Sequence, residues 1–313
     1  MKKTLTFITL LFAVGAFAQI SVKTEYITNS KFYDAVSDSN IGDGSAMIYS
    51  VGALVPLSMQ APDEEDPYQR PTVWGVALNS TFVQMNNHHF PVEKEHPSQV
   101  MNLGASVVHL RPLKTRWSML MALGVGSYTP ENRLSSIHIG ENVLANGALV
   151  FVWHYNAHLE VGGGVALNNT FGYPMVFPAL YVKYKGGFGD KFTIEAASID
   201  GAKVALGYNY RENLTLKLVA NVGGYSAYLR RNGQKEMFSQ QTFFAGLQPE
   251  FKIGKHLTIP ITVGGSFIRS GRYRERTLKD MFKSEAKGEN GETRSSVFLP
   301  ALYFAAGITL FGN

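Results

Sequence analysis

The run NNHHFPVEKEH gathers His88, His89 and His96 with Glu93 and Glu95. Neutral imidazoles beside carboxylates are ligands for Zn²⁺ or Cu²⁺, yet this spacing fits no established metal motif, and a solvated loop is expected. A second group, His154, His158 and Glu160, flanks a tight turn. At strand parity all three side chains point the same way, so they are expected to line a polar interior at one rim. His138 near Ser135 and Ser136 is the nearest local pairing of a base with a hydroxyl nucleophile, and no further catalytic pattern accompanies it. Gly162-Gly163-Gly164 and the stretch KGGFGDK open no helix whose N-terminus could receive a phosphate. No catalytic, cofactor-binding or resident metal site is expected, and the chain does not read as an enzyme.

Strands must position these groups. In LEVGGGVALNNT, Leu159, Val161, Val165 and Leu167 fall on one face, while Glu160, Gly162, Gly164 and Asn168 fall on the other. NLTLKLVANVGGY repeats the pattern, with Leu214, Leu216, Leu218, Ala220 and Val222 opposing Thr215, Lys217, Asn221 and Gly223. QTFFAGLQPEFKI does so again. Short turns at 111–115, 156, 185–190, 211–212 and 254–256 alternate with longer polar loops at 86–98, 128–142, 230–240 and 271–296. Counting hairpins predicts about 14 strands, within a range of about 12 to 16. Glycine recurs in mid-strand in MALGVGSY, LVANVGGYS and ITVGGSF, at unequal spacings that exclude a solenoid or propeller period. Such glycines permit bending and close backbone approach.

The ends and the charge bound the setting. MKKTLTFITLLFAVGAFAQ has two lysines, an apolar run too short to cross a bilayer as a helix, and small residues at Ala16 and Ala18; residues 1–18 are expected to be a signal peptide. Subtracting Lys2 and Lys3 takes the net charge from +5 to +3, which is too little and too dispersed for a nucleic-acid partner. The chain has no cysteine, which excludes disulfides and thiolate metal sites.

The polar face carries Gly, Ser, Thr, Asn and Ala with scattered charge, unlike the charge-dense surface of a soluble protein and suited to a lumen. Trp117, Trp153, Tyr155, Tyr184, Tyr210 and Phe251 share the apolar face near the short turns, and Phe171, Tyr228, Phe243 and Phe267 share it at the opposite strand ends. Two aromatic rings bracketing an aliphatic belt are what a membrane-spanning barrel needs. The expected fold is all-β: a transmembrane, antiparallel, up-and-down β-barrel formed by residues 19–313 as a single domain.

On these residues the chain resembles outer-membrane β-barrels of Bacteroidota, including families with no assigned function. The resemblance implies location and fold and brings no functional residues with it. The expected function is a porin-like channel or transporter for small solutes; a non-transport barrel acting in assembly, adhesion or surface interaction is the alternative, and a barrel enzyme acting on lipid or peptide the third. Expected partners are outer-membrane lipid, lipopolysaccharide and small solutes, with no cofactor. Inward parity assigns Arg116, Lys183, Lys185, Lys191, Lys203, Lys217 and Lys252 to the lumen against Glu160, Glu195 and Glu250. That excess of positive charge predicts weak anion selectivity if the lumen is open. The basic stretch 269–294, with Leu278, Met281 and Phe282 at helical spacing, reads either as a short amphipathic helix or as a solvated loop.

Overall fold

Period-2 alternation forces strands, because only an extended backbone sends every second side chain to the same face. The computed structural model describes residues 19–61, 70–91, 96–169, 174–187, 189–199, 201–231, 234–277, 279, 286–287 and 293–311. The expected signal peptide, Glu93, Glu95, Phe171, Leu278, Met281 and Phe282 lie outside the described residues. The strands are β1 (Gln19–Asp34), β2 (Ser39–Gln60), β3 (Thr72–His88), β4 (Gln99–Lys114), β5 (Trp117–Thr129), β6 (Val143–His154) and β7 (Leu159–Asn168). They continue as β8 (Met175–Gly186), β9 (Phe192–Ala197), β10 (Ala202–Arg211), β11 (Leu214–Arg231), β12 (Gln234–Ile253) and β13 (Leu257–Glu275). Beyond these come a two-strand ribbon of β14 (Ala286–Lys287) and β15 (Thr293–Arg294), the short β16 (Val297–Phe298), and β17 (Ala301–Phe311).

Each of β1 to β12 pairs antiparallel with the next, and β17 closes the ring by pairing with both β13 and β1, giving a closed barrel of 14 strands. Register places Gln19 opposite Phe311, so both ends of the barrel domain lie at the same rim as the short turns. We call this the turn end and the opposite rim the loop end. β16 pairs with β1 and β13 above β17 and extends the wall there.

The outer surface is apolar. Leu216 (45 %), Leu247 (66 %), Val263 and Leu302 are exposed between aromatic rims. Near the turns Trp117, Trp153, Tyr155, Tyr184, Tyr210 and Phe251 all face outward, with Trp117 stacked on Trp153 at 6.2 Å. At the loop end Phe267 is exposed and lies 6.0 Å from Phe243. A continuous apolar belt outside a closed barrel needs lipid rather than water around it.

The wall is uneven, and this shapes the interior. β9 has 6 residues whereas β2 has 22. β10 pairs with β11 only up to the Ala202–Val222 register, so β11 beyond Val222 pairs along one edge, with β12. Within the stretch 230–240, expected as a loop, residues 230–231 and 234–240 are instead paired strand of a long β11–β12 hairpin, with Arg231 opposite Gln234. Its middle is buried on both faces: Tyr225, Ser226, Ala227 and Tyr228 are all buried on β11, and Met237 to Gln240 on β12. Tyr228 is therefore no part of an outer aromatic ring. It is 6 % exposed, with its ring 6.0 Å from Tyr128.

This two-faced burial arises because the hairpin leans across the lumen. The Asn102 side chain on β4 donates to the Ser226 carbonyl at 2.6 Å and accepts from the Ser226 amide at 3.2 Å. β4 and β11 are seven strands apart on the 14-strand ring, diametrically opposite. Strands about 4.8 Å apart at a tilt of about 40° would enclose a backbone cylinder about 28 Å wide, so contact across it requires one wall to fold inward. Under this hood Ile27, Ala46, Ile48, Val83, Met85 and Val100 pack against Tyr225, Ala227, Phe238 and Tyr303 as an apolar core inside the barrel.

Glycines sit where the hood bends. A Cβ on Gly264 of β13 would stand 2.1 Å from the Ala245 carbonyl oxygen, and one on Gly224 of β11 would stand 2.4 Å from that of Gln240. Gly264 faces Gly246 across the ladder, and just above them the β12–β13 register slips at Phe243/Phe244. Bulges and missing side chains together permit a sharp turn of the sheet.

Candidate functional site

The site is the lumen, built from inward side chains of opposed strands. At the turn end a vestibule of about 910 Å³ is lined by Lys183, Lys185, Lys203, Lys217, Lys252 and Lys255 against Glu195 and Glu250. Six minus two leaves four excess positive charges. Lys217 holds both carboxylates, at 3.0 Å from Glu250 and 3.7 Å from Glu195, and the other five lysines make no ion pair with a described carboxylate. A neck of about 310 Å³ shares Lys203, Glu250 and Thr309 with the vestibule and Lys23, Ser50 and Asn221 with the next chamber. That chamber, of about 460 Å³, lies against the hood and is bordered by Asn79, Asn102, Asn146, Asn221, Tyr128 and Tyr225 among others. The three spaces share walls from the turn end to the hood.

Above the chamber the hood is held on several sides. Arg269 of β13 is 2 % exposed; it donates to the Gly44 carbonyl and, at 3.3 Å, to Ser30 Oγ, with its guanidinium 3.6 Å over the Phe298 ring. His96 packs beside it, 5.0 Å from both Phe32 and Phe90. Burial among these rings and the positive charge of Arg269 push the His96 pKa down to about 4. On the far face Arg276 lies 4.2 Å over Tyr228 and donates to the Glu141 carbonyl at 2.8 Å. Arg230 donates to the Glu141 carboxylate at 2.9 Å and holds that carboxyl below its ordinary pKa.

Seven of the ten charges assigned to the lumen by parity do line the vestibule: Lys183, Lys185, Lys203, Lys217, Lys252, Glu195 and Glu250. Arg116 and Lys191 sit in turns, where alternation has no meaning, and belong to the rim. Glu160 borders none of the cavities described above; it pairs with Arg70 and accepts from the Tyr181 hydroxyl at 3.2 Å. Sequence reasoning missed Lys255, which lies in a turn, and Lys23, whose inward parity in β1 was available. It also missed Asn102 and Arg269, whose partners are remote in the chain.

The histidine groups divide. His88 and His89 stay together at 6.1 Å, and His89 contacts Asp43 at 2.9 Å, whereas His96 is buried in the aromatic cage. His158 faces the Lys185 carbonyl at 2.9 Å and Asp190 at 3.4 Å, away from His154. His154 does meet Glu160, Nδ1 to Oε1 at 3.4 Å, and its Nε2 lies 2.8 Å from Ser118 Oγ. Hydroxyl, imidazole and carboxylate in that order can activate a nucleophile, but Ser118 is 1 % exposed and lines none of the three lumen spaces. Here the row ties β5, β6 and β7 together. His138 meets the Ser136 carbonyl, while the Ser136 hydroxyl donates to Glu131 at 3.0 Å, so no base–nucleophile pair forms there.

Among solved structures the chain is similar to the COG4313 outer membrane channel from Pseudomonas putida F1, with 10% identity, 94% of this chain and 95% of that one covered, and a TM-score of 0.46. It is similar to a deltaS2S3 mutant of the TodX monoaromatic hydrocarbon channel (10% identity, 97% and 92% covered, TM-score 0.43) and to the NanC porin (9%, 93% and 98%, 0.36). No curated protein matches the sequence. Residues 14–310 match the model of a family described as a domain of unknown function, DUF6268.

Proposed function

Given that the chain belongs to the DUF6268 family, we propose that it is an integral outer-membrane channel for small solutes, opening to the periplasm at its turn end and closed outside by its own wall. The observation that carries this reading is the line of three joined spaces running up from the turn end to the hood. A barrel with only a structural role would gain nothing from hollowing its core, since empty or wet interior loses packing energy. The lysine excess in the vestibule attracts anions, and field lines focused by a low-dielectric wall strengthen that attraction.

The hood favours one alternative, a barrel that anchors or displays its loops without transport. Purified protein in a planar bilayer separates the two. A channel gives discrete openings, rare at rest because the hood must move; a barrel silent under all voltages, even after the Asn102–Ser226 contact is removed, refutes the transport reading. The Ser118, His154 and Glu160 row lends no support to a hydrolase, because Ser118 is 1 % exposed and borders none of the three spaces described above.

A further inference from the structure

The chamber under the hood differs in chemistry from the vestibule below it. Its charges, Lys23 and Glu25, neutralise each other at 2.6 Å, and the Tyr303 hydroxyl donates to Glu25 as well. The rest of its polar lining is uncharged amide and hydroxyl. Ser50 of β2, Asn79 and Thr81 of β3, Asn221 of β11 and Thr242 of β12 all point into it, and among the described residues these five side chains make no hydrogen bond. They come from opposite sides of the ring and converge on one space.

Physical chemistry narrows the occupant. An ion would find no counter-charge there, because the one pair present is already satisfied. An apolar solute would strip water from at least five hydrogen-bonding groups and return no partners, which is costly for each. Amides and hydroxyls both donate and accept; a solute with many groups of the same dual character satisfies them without any fixed charge. The volume of about 460 Å³ lies in the range of small-molecule sites.

We propose that this chamber is a binding site for an uncharged polyhydroxylated solute of the sugar class. The proposal rests on the channel reading only for its route of entry, through the vestibule and neck. Occupancy itself can be measured without any current.

The test is calorimetric titration of the barrel in detergent micelles with glucose, maltose and sucrose at millimolar concentration. Glycine betaine, an osmolyte without hydroxyls, serves as the comparison. Saturable heat is expected for at least one sugar and none for betaine. Asn79→Leu with Asn221→Leu should weaken the binding tenfold or more. No saturable heat with any of the three sugars, or wild-type affinity in the double variant, overturns the proposal. Should that variant fail to fold, Thr242→Cys gives a second reading, since the chain has no other thiol. Sugar should slow its reaction with a small thiol reagent several-fold, and unaltered labelling overturns the proposal equally. A barrel that conducts without binding sugar refutes the chamber alone; one that binds sugar and never conducts refutes the channel alone.

Discussion

Replacing Asn102 with leucine should unlatch the hood. The Asn102 amide makes two hydrogen bonds to the Ser226 backbone, 2.6 Å and 3.2 Å long, on an edge that no described strand covers there. Leucine keeps the approximate volume and leaves the Ser226 amide and carbonyl buried without partners. Each such group costs about 1–3 kcal/mol, so about 2–6 kcal/mol is removed from the closed state while the open state, with water at that edge, is unaffected. At about 1.4 kcal/mol per tenfold, the closed-to-open ratio should fall roughly 30- to 20,000-fold. Single-channel recording in a planar bilayer reads this directly as open probability. Asn102→Asp, which retains the acceptor and loses the donor, should fall between. The converse experiment joins Asn102→Cys to Ser226→Cys with a short bifunctional maleimide, in a chain that has no other cysteine, and should abolish openings. The hood is not the gate if Asn102→Leu folds, migrates as a closed barrel on an unheated gel and opens no more often than the parent.

On the outer face, Leu216→Arg places a charge amid the apolar belt and should cost about 2–4 kcal/mol, seen as a lower temperature for loss of the fast-migrating gel form; an unchanged temperature would mean that lipid does not meet this face. In the vestibule, Lys185→Glu with Lys203→Glu reverses two of the cations without a carboxylate partner, and should move the zero-current potential under a potassium chloride gradient from anion toward cation preference; no shift would remove these lysines from the conducting path. His96 titrates in the folded barrel at about 4 instead of 6.5, so the unfolded state binds more protons between those values. Stability should therefore fall as pH drops from about 6.5 toward 4 and level off below. His96→Leu should flatten that part of the melting profile, and an identical profile in the variant would show that the imidazole is not buried neutral.

Period-2 alternation made the barrel legible, because parity is a local property that each strand displays on its own. The outward Leu216 and Leu247 and the inward Lys183 and Lys217 follow from counting alone. The hood did not, for two reasons. Its stretch RRNGQKEMFSQQ reads as a polar loop, and the feature that marks it, apolar or aromatic residues at both parities in Tyr225, Tyr228, Met237 and Phe238, defeats a test built on one wet face. Its latches are also non-local: Asn102 and Ser226 lie 124 positions apart, and nothing near either residue announces the other. Glu160 marks a different limit, since parity turns it inward but nothing local foretells that Arg70, arriving from the end of the β2–β3 connection, occupies its carboxylate.

The step in wall height between β10 and β11 bears on how the protein avoids its neighbours. Wherever a tall strand stands beside a short one, a row of unpaired amides and carbonyls is left, a template for edge-to-edge association with another chain. Beyond Val222, β11 has an edge that no described strand covers. Turning it into the lumen, against Asn102, conceals it from every other molecule. On the channel reading, the inward lean proposed to close the passage would also shield this edge from association, and a variant held open would re-expose it. Selection on such a protein would act against permanent opening even where transport itself did no harm.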